Sequence, residues 1–122
     1  MQPGDHEAAR REALLDLVKL RRPLPEAIAR LGGFPWDSDR ELVTLTRADL
    51  VAAAEAYLAG GLTSKDLESW AEHLEVREDV DLQRDRDALV GEAIFLLANP
   101  VINYDLTPEF VRGLRARLSG RA

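Results

Sequence analysis

The segment LTSKDL, residues 62–67, has the pattern of a helix start, and two further segments repeat it closely: LTRADL at 45–50 and LTPEFV at 106–111. In each segment a threonine stands where its hydroxyl can accept a backbone N–H as the helix N-cap. In LTSKDL and LTRADL an aspartate three residues later can return the bond as a capping box, whereas LTPEFV has a proline at the first helical position. These local signals agree with one another and predict an all-α fold.

Hydrophobic spacing predicts the helices that follow these starts. We expect six helical segments, at about 5–22, 25–31, 47–59, 64–76, 83–98 and 108–118. In the fourth segment, the apolar residues recur at helical spacing and are expected in the core: Leu67, Trp70, Ala71 and Leu74. Residues 41–45 are compatible with a short extended stretch, and we interpret them as a single turn. Short connections favour a compact bundle of five to six mostly antiparallel helices.

Length and composition favour one folded domain over residues 1–122. The chain is 46% hydrophobic and 31% charged, which is typical of globular rather than disordered proteins. No apolar run approaches the ~20 residues of a membrane span, and the N-terminal residues lack the pattern of a secretory signal. The chain has no cysteine. We therefore expect a cytoplasmic protein that does not bind membranes.

The negative charge is concentrated in one stretch. Residues 66–87 hold nine acidic and three basic side chains, so that this stretch has a net charge of −6, equal to that of the whole chain. A nucleic-acid-binding surface needs the opposite sign. The sequence therefore predicts no nucleic-acid partner.

The acidic residues of the fourth helix also share one side of it. Four carboxylates lie within roughly 60° of one another, opposite the apolar stripe, if the helix continues that far: Glu68, Glu72, Glu75 and Asp79. We call these four residues the acidic face. It has three interpretations: a solvated surface that confers solubility, a docking surface for a basic protein, or a weak cation site.

Two aromatic residues outside the helices are candidate anchors. Trp36 follows Pro35 in a loop, where it either packs under the loop or projects as an interface hot spot. Tyr104 precedes the last helix and has the same two interpretations. With the acidic face, Trp36 completes the set of candidate partner-binding residues.

Motifs for catalysis or cofactor binding are absent from the sequence. The two histidines, His6 and His73, are not preceded by glutamate at the spacing of a bundle dimetal site. The chain has no phosphate-binding glycine loop and no nucleophile elbow. We expect no catalytic residue, no cofactor and no metal. A small carboxylate-based enzyme or metal-binding domain and a self-associating structural protein stay open as alternatives.

Two resemblances bear on function. The run 56–70, AYLAGGLTSKDLESW, is similar to a turn in small helical bacterial immunity proteins of the colicin D-inhibitor kind. The span 34–106 resembles small bacterial proteins of unassigned function, through the loop FPWDS and the segments WAE, REDV and LANP. The first resemblance implies an acidic surface that covers a toxin's basic active site, and the second implies no activity. The sequence thus favours a non-catalytic protein-binding module.

Overall fold

The computed structural model of the chain describes residues 3–84, 88–100 and 106–120. These residues form six helices and two short strands. In chain order the elements are α1 (Pro3–Val18), α2 (Leu24–Leu31), β1 (Val43–Leu45), α3 (Arg47–Leu58), α4 (Ser64–Glu75), β2 (Val80–Leu82), α5 (Leu89–Ala98) and α6 (Pro108–Leu118). The predicted helical class is confirmed.

The three threonine helix starts are confirmed at atomic detail. The backbone N–H of Asp66 donates to Thr63 Oγ1 at 3.0 Å, and the N–H of Thr63 donates back to the Asp66 carboxylate at 2.9 Å. The same reciprocal pair joins Thr46 and Asp49. Thr107 accepts from the N–H two residues after Pro108. Helices α3, α4 and α6 therefore begin where local capping predicts.

Residues 43–45 are a strand, and the interpretation of 41–45 as a turn is wrong. Strand β1 pairs in parallel with β2, in the register Val43 with Val80 and Leu45 with Leu82. Alternate burial of Val43 and Leu45 suits a half-buried strand, since successive side chains point to opposite faces. The strand at residues 43–45 could not be predicted from the sequence, because its pairing partner lies 37 residues away and leaves no local signal.

The fifth helix begins at Leu89, later than the predicted start near Gln83. The N–H of Gln83 donates to Leu45 O at 2.8 Å, which extends the strand pairing by one residue. The side chain of Gln83 accepts from the N–H of Arg47, the first residue of α3. Gln83 therefore binds β1 and α3 and is not part of α5.

A single hydrophobic core draws buried residues from all six helices and both strands. The apolar stripe of α4 is buried as predicted, and its Trp70 is fully enclosed. The indole N–H of Trp70 donates to Leu17 O at 2.9 Å. This carbonyl lies in the last turn of α1 and also accepts from the backbone N–H of Leu20 at 3.2 Å. Within the described ranges, no helix is both long enough and apolar enough to cross a membrane.

Candidate functional site

Three of the four acidic-face residues lie on α4. Glu72 and Glu75 are exposed, and Glu68 is half-buried. The amide of Asn99, at the end of α5, lies 3.4–3.5 Å from the Glu75 carboxylate oxygens. The part of the predicted acidic face that lies on α4 is therefore a short row of three carboxylates.

Asp79 does not belong to this row, and its predicted place on the acidic face is wrong. Helix α4 ends at Glu75, and the Asp79 side chain is completely buried. The prediction extended the helical angle beyond the helix end. Arg77 binds the Asp79 carboxylate through two nitrogens, at 2.9 and 3.0 Å, and Arg10 of α1 binds it at 2.8 Å. We call these three residues the Asp79 cluster.

The Asp79 cluster also holds residues 34–42, which we call the Trp36 loop. Nη2 of Arg10 donates to the carbonyls of Pro35 and Asp37, both at 2.8 Å, and Nη2 of Arg77 donates to Pro35 at 2.9 Å. The arginine side chains are only 12% and 7% exposed. The two arginines thus bind both the buried carboxylate and the backbone of the loop.

The Trp36 side chain projects outward from this loop. Trp36 is 58% exposed and Val76, just after α4, is 59% exposed. Both line a shallow groove together with Glu72, His73 and Ile28 of α2. Of the two interpretations of Trp36, packing under the loop is therefore wrong, and the indole stands open beside the carboxylate row.

Within the row, the pKa of Glu68 is raised above its ordinary value. Burial is the largest cause, the carboxyl of Glu72 one turn further along α4 adds to it, and Lys65 opposes the shift. A raised carboxyl pKa means that folding is favoured below the ordinary pKa and that this gain is lost as pH rises through the raised pKa. At neutral pH, negative charge at Glu68 therefore works against the folded state.

The two histidines occupy structural positions. His73 Nδ1 lies 2.7 Å from the carbonyl of Ser69, so this nitrogen donates to the backbone of its own helix. The ring of His6 packs against Phe34 with 5.3 Å between centroids. Within the described ranges no three His, Asp or Glu side chains converge as metal ligands would.

A second buried aspartate lies near the end of α1. Asp16 binds three arginines, which with it form what we call the Asp16 cluster: Arg21, Arg22 and Arg30. Burial alone would raise the pKa of Asp16, but the hydrogen bonds and charges of Arg22 and Arg21 outweigh it and hold the pKa below its ordinary value. This cluster fastens the α1–α2 connection and has no contact with the Trp36 loop among the hydrogen bonds described.

Sequence reasoning missed Arg10 and Arg77 as site residues. The sequence holds many arginines, and nothing in their spacing marks these two as buried. The segment R-E-D at 77–79 is, in hindsight, the available signal, because an arginine two residues before an aspartate can bind it with both nitrogens. Tyr104, the second candidate anchor, lies outside the described residues.

Comparison with protein-family models, with curated proteins and with solved structures finds no match to the chain.

Proposed function

We propose that this chain is a non-catalytic protein-binding module that docks a basic partner. Its docking surface comprises Trp36, Val76, Glu72 and Glu75. The observation that carries the proposal is the 58% exposure of Trp36 in the same groove as Glu72. A large indole beside carboxylates suits a partner that offers an apolar side chain next to a lysine or arginine.

One physical effect supports docking at Trp36, and two support a cationic partner. Aromatic residues supply much of the binding energy of protein interfaces when a partner covers them. Burial and, after it, the neighbouring Glu72 raise the pKa of Glu68, and a cation on the partner would offset the second of these effects. Negative charge gathered near the surface speeds the encounter with a basic protein, in a way that salt screens.

A narrower form of the proposal is an immunity-like inhibitor in the cytoplasm. There the carboxylate row would cover the basic active site of a toxin, as the resemblance of residues 56–70 implies. The sign of the charge supports this form, since carboxylates are complementary to a basic active site. Glu72 and Glu75 would then face its cations directly.

The test is a pull-down from the native host with matched baits. The double reversal Glu72→Lys with Glu75→Lys changes the charge by four units on the docking surface. The control, Glu55→Lys with Glu109→Lys, changes it equally at two exposed positions outside the docking surface and the Trp36 loop. Exposed substitutions shift the free energy of unfolding by less than about 0.5 kcal/mol, so all baits should stay folded.

We expect the wild type and the control to retain the same partner, and the double reversal and Trp36→Ala to lose it. The association rate measured with that partner should fall as salt rises above physiological strength. Equal loss in the control would indicate non-specific charge attraction and contradict the proposal. Identical partners for all baits, or capture of a second copy of the chain alone, would also contradict it.

A further inference from the structure

Three consecutive carbonyls of the Trp36 loop are fixed by hydrogen bonds from inside the protein. The carbonyl of Pro35 accepts from Arg10 and Arg77, and that of Asp37 accepts from Arg10. Between them, the carbonyl of Trp36 accepts from the backbone N–H of Glu78 at 2.9 Å. The backbone is therefore held before, at and after Trp36, whereas its side chain is left open to solvent.

Asp79 sets the position of both arginines. Its two carboxylate oxygens bind Nε of Arg77 and Nε of Arg10, at 2.9 and 2.8 Å. A planar guanidinium that is bound at Nε has a fixed direction, so its Nη2 donors point at defined positions. Those positions are occupied by the carbonyls of the Trp36 loop. Asp79 thus acts on the loop through Arg10 and Arg77 without touching it by its side chain.

A gain in stability alone does not explain why Asp79, Arg10 and Arg77 are buried together. Buried ion pairs lose solvation that their attraction only partly restores, and apolar replacements of similar volume are often as stable. Apolar side chains could not, however, donate to the carbonyls of Pro35 and Asp37, which Arg10 and Arg77 hold by hydrogen bonds at the surface. What the Asp79 cluster adds over apolar side chains is a fixed backbone conformation of the Trp36 loop.

We infer that the Asp79 cluster is a positioning device that holds Trp36 ready for a partner. The inference rests on the proposed docking role of Trp36. A partner that meets an ordered indole avoids the cost of ordering the loop on binding. Val76 and Glu72 lie in the same groove, so a fixed Trp36 also fixes the spacing between the apolar contact and the charge that the partner must match.

The first experiment needs no partner. The full chain is labelled with 5-fluorotryptophan, which gives one fluorine signal for Trp36 and one for Trp70, assigned with Trp36→Phe. Asp79→Asn removes the charge that orients the arginines. Asp16→Asn is the matched control, since it also removes a buried, arginine-bound carboxylate. Hydrogen exchange of the Glu78 amide, which binds Trp36 O, is measured in parallel.

We expect Asp79→Asn to shift or broaden the Trp36 signal, to leave the Trp70 signal in place and to speed exchange of the Glu78 amide at least tenfold relative to amides of α4. Asp16→Asn should leave the Trp36 signal unchanged. An unaltered Trp36 signal and an unaltered Glu78 exchange rate in folded Asp79→Asn would overturn the inference. An equal Trp36 response in the control would overturn it as well, because the effect would then be general loosening.

Arg10→Lys keeps the inference testable if Asp79→Asn does not fold. Lysine retains the positive charge beside Asp79 but lacks the second nitrogen that reaches Pro35 and Asp37. We expect the same Trp36 response, and an unchanged Trp36 signal in the folded variant would overturn the inference.

A second experiment separates the inference from the proposed function. Asp79→Asn and Asp16→Asn are used as baits in host extract, and the amount of the protein retained by wild type is compared. About tenfold weaker retention by Asp79→Asn than by Asp16→Asn is expected. A mobile Trp36 with undiminished retention would leave the cluster a positioning device and contradict Trp36 as the docking residue. An immobile Trp36 overturns the positioning role whatever is retained.

Discussion

The Asp16 and Asp79 clusters differ in how far apart their residues lie along the chain and in how exposed their arginines are. Each buries an aspartate and binds it with arginines. The partners of Asp16 lie 5, 6 and 14 residues away along the chain, and their side chains are 42–49% exposed. Asp79 instead takes Arg10 from 69 residues away, and the arginines around it are nearly enclosed.

The difference lies in what the arginines can do without their aspartate. The half-exposed guanidinium groups around Asp16 can turn to water, whereas Arg10 and Arg77 have little access to it. The Asp16 cluster therefore fastens a local connection between two helices. The Asp79 cluster joins α1, the Trp36 loop and the segment before β2, and it is the one linked to an exposed aromatic residue.

The two tryptophans give the largest expected contrast between the two regions. Trp70 binds the carbonyl of Leu17, next to Asp16, and is fully buried, whereas Trp36 extends into solvent beside the Asp79 cluster. Trp70→Ala should lower the free energy of unfolding by about 3–5 kcal/mol through loss of core packing. Trp36→Ala should change it by less than about 0.5 kcal/mol. Urea unfolding of both variants checks this, and comparable losses would show that Trp36 supports the fold.

Removal of the aspartates should give the next largest contrast. Asp79→Ala leaves two enclosed cations without a counter-charge and should cost about 3–5 kcal/mol. Asp16→Ala should cost only about 1–2 kcal/mol, because its arginines recover hydration. Chemical denaturation of the two variants side by side measures the difference. Equal costs would mean that arginine exposure does not distinguish the clusters.

Acid titration should reveal the smallest effect. Because the pKa of Asp16 is held below its ordinary value, its ionised form stabilises the fold above the ordinary aspartate pKa, and this contribution is lost as pH falls through the lowered value. The stability gap between wild type and Asp16→Asn should therefore close as pH falls below about 4. Asp39→Asn, at an exposed position, is the control. A gap that stays constant with pH would contradict the electrostatic account of Asp16.

The helices could be predicted because their starts depend on neighbouring residues. Thr46, Thr63 and Thr107 each cap their helix through a bond that spans three residues. The end of α4 is predicted to within one residue, at about 76 against Glu75, whereas the position of Asp79 beyond it is not. Residues 76–79 hold no glycine or proline, and the N–H of Glu78 leaves the helical pattern to bind Trp36 O, 42 residues earlier. The hydrogen bond from Glu78 to Trp36, which no local signal predicts, places the residues after α4 outside its helical geometry.

The candidate site likewise contains residues that local geometry predicts and residues that only tertiary contacts place. Glu72 and Glu75 could be placed on the solvent side of α4 from helical geometry, since both lie within the helix. Trp36 could be recognised as a candidate anchor, but the bonds from Arg10 and Arg77 that hold the backbone on either side of it could not. Their role arises from a carboxylate that the fold encloses, and distant side chains of opposite charge leave no periodic pattern.

The backbone of Asp79 has a consequence for how the protein tolerates change. The N–H of Leu42 donates to Asp79 O at 2.8 Å, while the N–H of the preceding Glu78 binds Trp36 O. Two adjacent residues therefore fasten both ends of residues 36–42 through the backbone, in addition to the bonds that Ser38 and Arg40 make within and beyond the tip. Because loop-closure entropy grows slowly with length, with each doubling costing only about 0.6 kcal/mol, residues 38–40 form a natural graft point. Foreign peptides inserted there would be displayed next to an indole whose backbone stays anchored.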